Sequence, residues 1–322
     1  MVDFAVRGWP TVTVVILTYN GEAYLDAILG SLDEQIYPAD FDVLVIDSGS
    51  TDATLDIVRA HERVRLHEIP NSDFGHGRTR QLAVGLSETE VVVLLTHDAV
   101  PVGYSFLCSL VEPFENEQVA AVLARQVARR GAPPALRYII ERVFAAQGPP
   151  GLVTVHTHPA TMSAGVTAES FLSDVAVALR RSIVVDRVPY RDVPYAEDQL
   201  MGHDLIAAGF AKAYAPDAVV EHSNDGNLRE FGERALADRR GLNSIGIAPT
   251  HTSWGSALAR LVKWSAVDTT LILRDRELSF GEKLRWIVVN PAYHAVRVWN
   301  DHKGAREFGR ECTVRWGTDG EA

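Results

Sequence analysis

The chain is poor in cysteine, in basic charge and in long apolar runs, and each shortage excludes a class of protein. Its 322 residues include two cysteines, Cys108 and Cys312, which are too few for a disulfide framework and indicate a reducing compartment. The formal net charge of −11 argues against a nucleic-acid partner, which needs a basic surface. No run of about 18 apolar residues occurs, so no membrane-spanning helix is predicted.

The first residues also lack the basic start and apolar stretch that mark a signal peptide. We therefore expect a cytoplasmic protein. The hydrophobic fraction of 47% is that of a globular protein with a real core. The length allows one large α/β domain with an appendage, or two modest domains.

Three short apolar runs rich in β-branched residues lie at 12–17, 43–46 and 91–95, and helical patterns at 23–32 and 52–60 follow the first two. This alternation predicts βαβ units in a doubly wound, mostly parallel α/β sheet. Ligands of such sheets lie outside the carboxyl ends of the strands. The polar residues that follow each run are therefore candidates for a nucleotide site.

The rest of the sequence predicts further helices and strands and a domain boundary. Residues 78–86, 104–115 and 197–209 have helical patterns, whereas 175–185 and 219–220 resemble strands. The Gly- and Pro-rich stretch 131–161 predicts a mobile loop, with a possible helix at 136–146. Beyond residue 228 the sequence pattern is typical of helices, so we divide the chain into a catalytic domain, 1–227, and a helical C-terminal extension, 228–322.

Two acidic residues close predicted strands. Asp47 follows the second apolar run and could accept hydrogen bonds from a base or ribose, or could cap its own turn with Ser48 and Ser50. Asp98 follows the third run and suits a hard divalent cation that bridges two phosphates, or a turn before Pro101. Both pairs of interpretations remain open on the residues alone.

The metal-binding interpretation of Asp98 is stronger when it is considered with His222. Both residues follow strand-like runs and could project from the same edge of the sheet. An imidazole, a carboxylate and phosphate oxygens would together suit Mn²⁺ or Mg²⁺. A histidine after a strand is also often an ordinary hydrogen-bonded polar residue, so the pairing is a hypothesis.

Glu197 and Asp198 begin a predicted helix. Taken alone, they are better explained as acids that complement the helix dipole than as a general base at a sheet edge. The segment FGHGRTR at 74–80 combines glycines, which allow close backbone approach, with arginines that favour a diphosphate. It is weak evidence by itself because it is not GxGxxG.

In chain order these pieces resemble family 2 glycosyltransferases of the GT-A fold, and most closely their rhamnosyltransferase-like branch. The resemblance covers about residues 10–225. Its motifs are VVILTYNG (14–21), VLVIDSGSTD (43–52), FGHGRTRQLA (74–83), LLTHDAVP (94–101), ALRRS (178–182), AEDQLMGHDLIAAGF (196–210) and VVEHSN (219–224).

The resemblance implies a role for each matching residue. Asp198 corresponds to the catalytic base, with Glu197 beside it. Asp98 corresponds to the metal-binding acid on the donor diphosphate, and His222 to a further metal ligand. The nucleotide-binding positions that it implies are Thr18, Tyr19, Glu22, Asp47, Arg80 and His97.

The resemblance also implies a reaction, an inverting transfer assisted by Mg²⁺ or Mn²⁺. The expected donor is a dTDP-activated deoxyhexose such as rhamnose, with a UDP-sugar as the alternative. The expected acceptor is a hydroxyl of a saccharide or lipid-linked glycan in cell-surface polysaccharide synthesis. The chain departs from the broad family at Thr96, where a carboxylate is common, so one charge is missing from the cation site.

Other interpretations are weaker. A degenerate nucleotide-sugar binder or scaffold would have no reason to keep Asp47, Asp98 and Asp198 together. A nicotinamide-dependent enzyme needs a glycine-rich turn after the first strand, where this chain has Thr-Tyr-Asn-Gly. The helix that begins near Trp254 could rest on the inner face of the membrane, but packing on the catalytic domain or in a homodimer is favoured.

Overall fold

A computed structural model describes residues 8–158, 167–223, 227–245 and 253–308 of the protein. The chain forms two compact units. The first comprises residues 1–127 and 143–222, and the second comprises residues 128–142 and 223–322. The first unit contains a mixed β-sheet covered by helices, and the second is helical.

In the described residues, nine strands form one sheet. In the order β3-β2-β1-β4-β8-β6-β9-β5, β1–β4 are mutually parallel and β8 is antiparallel to both of its neighbours. β6 and β9 run parallel to each other, and β5 and β7 pair antiparallel with β9. The strands are β1 (Val12–Thr18), β2 (Phe41–Asp47), β3 (Val64–Glu68), β4 (Val91–Thr96), β5 (Val100–Pro101), β6 (Val119–Val127), β7 (Thr154–His156), β8 (Ala176–Arg180) and β9 (Ala211–Glu221).

The helices cover both faces of the sheet and make up the second unit. They are α1 (Leu25–Asp33), α2 (Thr54–Ala60), α3 (His76–Leu86), α4 (Phe106–Val111), α5 (Pro134–Ala145), α6 (Arg181–Asp186), α7 (Glu197–Ala207), α8 (Leu228–Ser244), α9 (Trp254–Arg274) and α10 (Phe280–Phe308). Short 3₁₀ turns occur at Asn71–Asp73 and Glu112–Glu115.

The central strands are apolar on both faces because helices bury both. Val14 and Ile16 pack in a cluster with Leu25 of α1, while the intervening Val15 packs on the other side with Val84 of α3. All are fully buried. This is why β1, β2 and β4 are continuous apolar runs in the sequence and do not alternate. The predicted strands at 12–17, 43–46 and 91–95 and the α/β fold class are confirmed.

Three local predictions need correction. The mobile loop expected at 131–161 is wrong in part, because residues 131–158 contain β7 and also α5, which confirms the helix considered at 136–146. Residues 159–161 lie outside the described part of the chain. The strand expected at 175–185 ends at Arg180, where α6 begins. The strand expected at 219–220 spans 211–221.

The second unit is held together by buried polar contacts as well as apolar ones. Asp268 of α9 is fully buried and lies 2.7 Å from Arg142 of α5 and 2.8 Å from His294 of α10. A buried carboxylate needs such partners because an unpaired one is very costly. Among the described residues, no helix is both long enough and apolar enough to cross a bilayer.

Candidate active site

The loops that follow β1 and β2 are joined by hydrogen bonds at the carboxyl edge of the sheet. Asn20, in the left-handed region at φ 51°, donates its backbone amide to Ser50 Oγ, and its side-chain Oδ1 accepts from the Thr51 amide. The Gly21 amide donates to Thr54 Oγ1 at 2.8 Å. These bonds hold the two motifs TYNG and DSGSTD as one surface.

Two of the predicted nucleotide-binding acids already accept hydrogen bonds from backbone amides of these loops. Asp47 is fully buried, and its Oδ2 accepts from the amides of Gly49 and Ser50 at 2.9 Å each. Glu22 accepts from the Ala53 amide at 2.9 Å. Both carboxylates therefore stabilise the loops, and the turn-capping interpretation of Asp47 accounts for its hydrogen bonds.

Thr18, Tyr19 and His97 lie around the same corner. A Cβ on Gly21 would meet Thr18 Oγ1 at 2.6 Å and His97 Cβ at 3.1 Å, so only glycine fits there. Thr18 Oγ1 is buried and has no hydrogen-bond partner among the described residues. The Tyr19 side chain is 46% exposed, which leaves an aromatic ring available to a base or sugar.

Asp98 and His222 are brought together by strand pairing. Val100 of β5 pairs with Glu221 of β9, which places Asp98 Oδ2 3.3 Å from His222 Nε2. Burial raises the pKa of Asp98, but the hydrogen bond and charge of His222, with a hydrogen bond from Thr96, outweigh it and hold the pKa well below its usual value. The aspartate is therefore ionised at neutral pH.

This pair fits a divalent cation. Two ligands at right angles about 2.1 Å from Mg²⁺ lie about 3 Å apart, close to the observed 3.3 Å. His222 Nδ1 lies 3.2 Å from Gln126 Oε1, so a proton on Nδ1 would leave Nε2 free to coordinate, as in many metal sites. No cluster of three or more candidate protein ligands occurs in the described residues. Water and phosphate would have to complete the shell.

A second buried cluster surrounds the predicted base. Arg80 of α3 lies between two carboxylates, with Nε 2.7 Å from Asp174 Oδ2 and Nη1 2.8 Å from Glu197 Oε1. All three side chains are less than 10% exposed. Tyr190 donates its hydroxyl to Asp174 at 2.9 Å. Asp174 and Glu197 thus share one guanidinium, and Asp198 is close enough for its charge to interact with all three groups.

Burial, together with the charges of neighbouring carboxylates, raises the pKa of two of these acids. Burial, followed by the charges of Asp174 and Glu197, raises the pKa of Asp198 well above its usual value despite the opposing Arg80. Burial also raises the pKa of Asp174 to about 6, with Glu197 acting in the same direction. A carboxylate in such a place is a stronger base than a solvated one, as general-base chemistry requires.

The backbone before the base is strained. Ala196 has φ 62° and ψ 30°, in the left-handed region that costs a residue with a Cβ about 1–2 kcal/mol. This conformation turns the chain into α7, so that Glu197 is directed to Arg80 and Asp198 Oδ1 accepts from the Gln199 amide at 2.7 Å. Strain of this kind persists where the surroundings over-determine it, often at functional sites.

The helices that carry the cluster are closely docked. A Cβ on Gly77 of α3 would lie 1.9 Å from the Arg191 carbonyl oxygen, so the helix touches the chain before α7. The Tyr190 amide donates to Gln81 of α3 at 2.9 Å. These contacts fix α3, and with it Arg80, against the segment that leads to the base.

Asp174 is the main residue that the sequence did not indicate. It precedes β8, which is antiparallel to β4. The beginning of an antiparallel strand lies at the same edge as the ends of its parallel neighbours, so a search confined to residues after strands overlooks it. Gln126 was also overlooked; it contacts His222, and its Nε2 donates to Ser173 at 2.9 Å.

The predicted residues therefore fall into three groups at this edge. The loop corner contains Thr18, Tyr19, Glu22, Asp47 and His97. The second group is the Asp98–His222 pair, and the third is the Glu197–Asp198 cluster, which includes Arg80. Because Arg80 is buried between carboxylates, it contacts protein at the position where a diphosphate was expected.

Sequence comparisons identify proteins that are similar to this chain. A family model described as "Glycosyl transferase family 2" matches residues 13–186. The O-antigen chain rhamnosyltransferase RfbN of Salmonella typhimurium is 30% identical over 69% of this chain and 69% of its own length. The O-antigen chain rhamnosyltransferase WbaN of Salmonella anatum is 28% identical over 70% of each chain.

Solved structures show the same fold at low identity. A mannosyltransferase from Pyrobaculum calidifontis, in complex with GDP-Man and Mn²⁺, has a TM-score of 0.56 at 19% identity, covering 93% of this chain and 74% of that one. TarS 1–349 of Staphylococcus aureus in complex with UDP-GlcNAc has a TM-score of 0.52 at 17% identity, covering 93% and 92%. The GT-A-like fold is thus confirmed.

Proposed function

Because the chain belongs to glycosyl transferase family 2, and is therefore a glycosyltransferase, we propose that it transfers a deoxyhexose such as rhamnose from a dTDP-sugar to a hydroxyl of a saccharide or lipid-linked glycan. The two relatives named above, both O-antigen chain rhamnosyltransferases, support the sugar and the kind of acceptor. The observation that carries the catalytic assignment is the buried acid cluster of Asp174, Glu197 and Asp198 around Arg80.

Asp198 is the general base in this proposal. The acceptor hydroxyl gives its proton to the Asp198 carboxylate as its oxygen attacks the anomeric carbon, and the bond from that carbon to the diphosphate oxygen breaks with inversion. The raised pKa of Asp198 favours proton acceptance near neutral pH. The hydrogen bond from the Gln199 amide to Oδ1 orients the carboxylate.

Arg80 and Asp174 are positioning residues in this scheme. Arg80 holds Glu197 by its guanidinium, and Glu197 precedes the base directly in the chain. Asp174 anchors the opposite side of the guanidinium and adds a negative charge that raises the pKa of Asp198. Arg80 acts through the base cluster here, without the contact to the diphosphate expected from the sequence.

The loop corner is the donor site. Tyr19 offers an exposed ring to the nucleoside, Thr18 Oγ1 and His97 offer polar atoms beside it, and Asp47 and Glu22 hold the loops. Asp98 and His222 would hold Mn²⁺ or Mg²⁺. When bound, the cation would neutralise charge that develops on the departing nucleoside diphosphate. The Mn²⁺ of the Pyrobaculum calidifontis structure supports this assignment for the fold.

A UDP-sugar is the alternative donor, and it is favoured by the UDP-GlcNAc bound to TarS, whose structure is similar. The same base and cation pair would serve that reaction. With either donor, the enzyme acts in cell-surface polysaccharide synthesis at the cytoplasmic side of the membrane. A catalytically degenerate nucleotide-sugar binder is the other alternative. The acid cluster argues against it, because placing more carboxylates than cations in a buried site is costly.

A thermal-shift panel tests the donor. We expect dTDP with Mn²⁺ or Mg²⁺ to raise the melting temperature and EDTA to reduce that shift, because a ligand stabilises the state that it binds. A larger shift with UDP or GDP would keep the reaction and replace the donor. No shift with dTDP, UDP or GDP under any metal condition would contradict the proposal, and a shift with NAD alone would indicate a different enzyme class.

A further inference from the structure

Helices α9 and α10 expose large apolar side chains in the same spacing. On α9 they are Trp254, Leu258, Val262 and Leu273, and on α10 they are Phe280, Leu284, Val288 and Trp299, all 51–78% exposed. Intervals of four, four and eleven residues place each set on one face of its helix. The rings of Trp254 and Trp299 lie 5.9 Å apart, so the two faces adjoin at that end.

These faces are distinct from the surface that packs the unit together. The buried residues of α10 include Asn290 and Tyr293, which the helical repeat places on the side away from Leu284. The exposed apolar side chains are thus surplus to the core of the second unit. Large contiguous apolar patches on the surface of a protein mark sites that bind a partner or a membrane.

The segment that carries the two faces has a net charge of opposite sign to that of the whole chain. Residues 253–308 contain nine Lys and Arg against six Asp and Glu, although the whole chain has a net charge of −11. All six acids already have an intramolecular partner: Asp268, Asp275, Glu277, Glu282, Asp301 and Glu307. The exposed basic residues of this segment include Lys263, Arg274, Arg276, Arg285 and Lys303.

We propose that this surface, defined by the eight exposed apolar residues of α9 and α10, docks the enzyme on an anionic lipid bilayer. Trp, Phe and Leu side chains with Lys and Arg nearby are the composition of helices that lie in a membrane interface. Anionic headgroups attract basic residues close to the bilayer surface. The inference concerns binding and does not depend on the identity of the donor.

The test is co-sedimentation of the full chain with vesicles of phosphatidylcholine alone or with about one third phosphatidylglycerol. We expect binding to the anionic vesicles, weakened by salt because the charges are exposed. Phe280→Ser/Val288→Ser should weaken binding at least tenfold, and Arg274→Glu/Arg285→Glu should weaken it by about fivefold per charge. The matched controls Ile36→Ser and Arg63→Glu, also exposed but in the first unit, should bind as the unmodified protein does.

Three results would overturn the proposal. They are an absence of binding to anionic vesicles at low salt, equal binding by all variants, and a homodimer in solution that Phe280→Ser/Val288→Ser dissociates. Melting curves and the nucleotide-induced thermal shift of each variant establish that it is folded. Since no readout here uses sugar transfer, failure of the docking proposal and failure of the proposed reaction are separable.

Discussion

The guanidinium of Arg80 and the carboxylate of Glu197 form a buried ion pair, 2.8 Å between Nη1 and Oε1, one residue before the base. Arg80→Gln would leave Glu197 and Asp174 buried without a cation, which costs about 3–5 kcal/mol. We expect a fall in the free energy of unfolding of that size, measured by urea denaturation.

The control for this variant is another arginine of the same unit. Arg191 pairs with Asp204 at 2.7 Å, but its side chain is 52% exposed. Arg191→Gln should cost less than about 1 kcal/mol, because exposed pairs contribute little. Equal costs for the two variants would mean that burial of the Arg80 pair has no energetic consequence.

Removal of the Asp174 charge should shift the pH dependence of transfer. The charged groups that act on Asp198 are Asp174, Glu197 and Arg80, and Asp174 raises its pKa. Asp174→Asn should therefore lower the pKa of the base, so that the acidic limb of kcat/KM moves to lower pH by about one pH unit. An unchanged limb would remove Asp174 from the control of the base, and Asp192→Asn, outside the cluster, is the control.

The same variant has a consequence for stability. The pKa of Asp174 is raised from 3.8 to about 6, so its contribution is complete below about pH 3.8 and is lost as the pH rises through 6. Asn carries no such titration. The stability of Asp174→Asn relative to the unmodified protein should therefore increase between pH 4.5 and pH 8 in urea titrations, and a decrease would contradict the assigned direction.

Asp198→Asn should abolish transfer and leave nucleotide binding nearly intact. The amide cannot accept the acceptor proton, but it has nearly the same shape, so the donor site is preserved. Rates from a product assay and dissociation constants from calorimetry separate the two effects. Asp204→Asn on the same helix should retain most of the rate; parallel losses of rate and nucleotide affinity in Asp198→Asn would refute the assignment of the base.

Gln126→Met should weaken cation binding about 10–100-fold, as is typical for residues that orient a metal-ligating histidine. Its Oε1 faces His222 Nδ1 at 3.2 Å, and Met preserves the length of the side chain but offers only a weak hydrogen-bond acceptor. Mn²⁺ titration in the presence of dTDP measures the effect. His203→Gln is the control, since His203 lies on α7 next to Asp204, and an unaltered Mn²⁺ affinity in Gln126→Met would exclude the cation from His222.

Elements whose residues share one environment along the chain could be predicted from the sequence. β1, β2 and β4 are buried on both faces, so they are runs of consecutive apolar residues that the sequence shows directly. The full length of β9 was missed because Pro216 interrupts its apolar pattern, and β7 was missed because it has three residues and follows a Gly- and Pro-rich segment.

The candidate site shows the same division. Asp98 and His222 were paired in advance because both follow strands, and strand ends meet at one edge of a sheet. Asp174 and the burial of Arg80 were not anticipated, since they depend on an antiparallel strand and on the docking of α3 near α7, which are non-local. The residues next to Asp174 and Arg80 in the sequence do not indicate either contact.

Ala196 has one more consequence, and it concerns attempts to engineer this enzyme. Ala196→Gly would relieve the left-handed strain of about 1–2 kcal/mol and add chain entropy of similar size to the unfolded state. A heat-resistance screen would therefore score the change as neutral. The rate of transfer would decrease, because the backbone just before the base would become more flexible. Thermostabilisation of this enzyme should leave residue 196 unaltered.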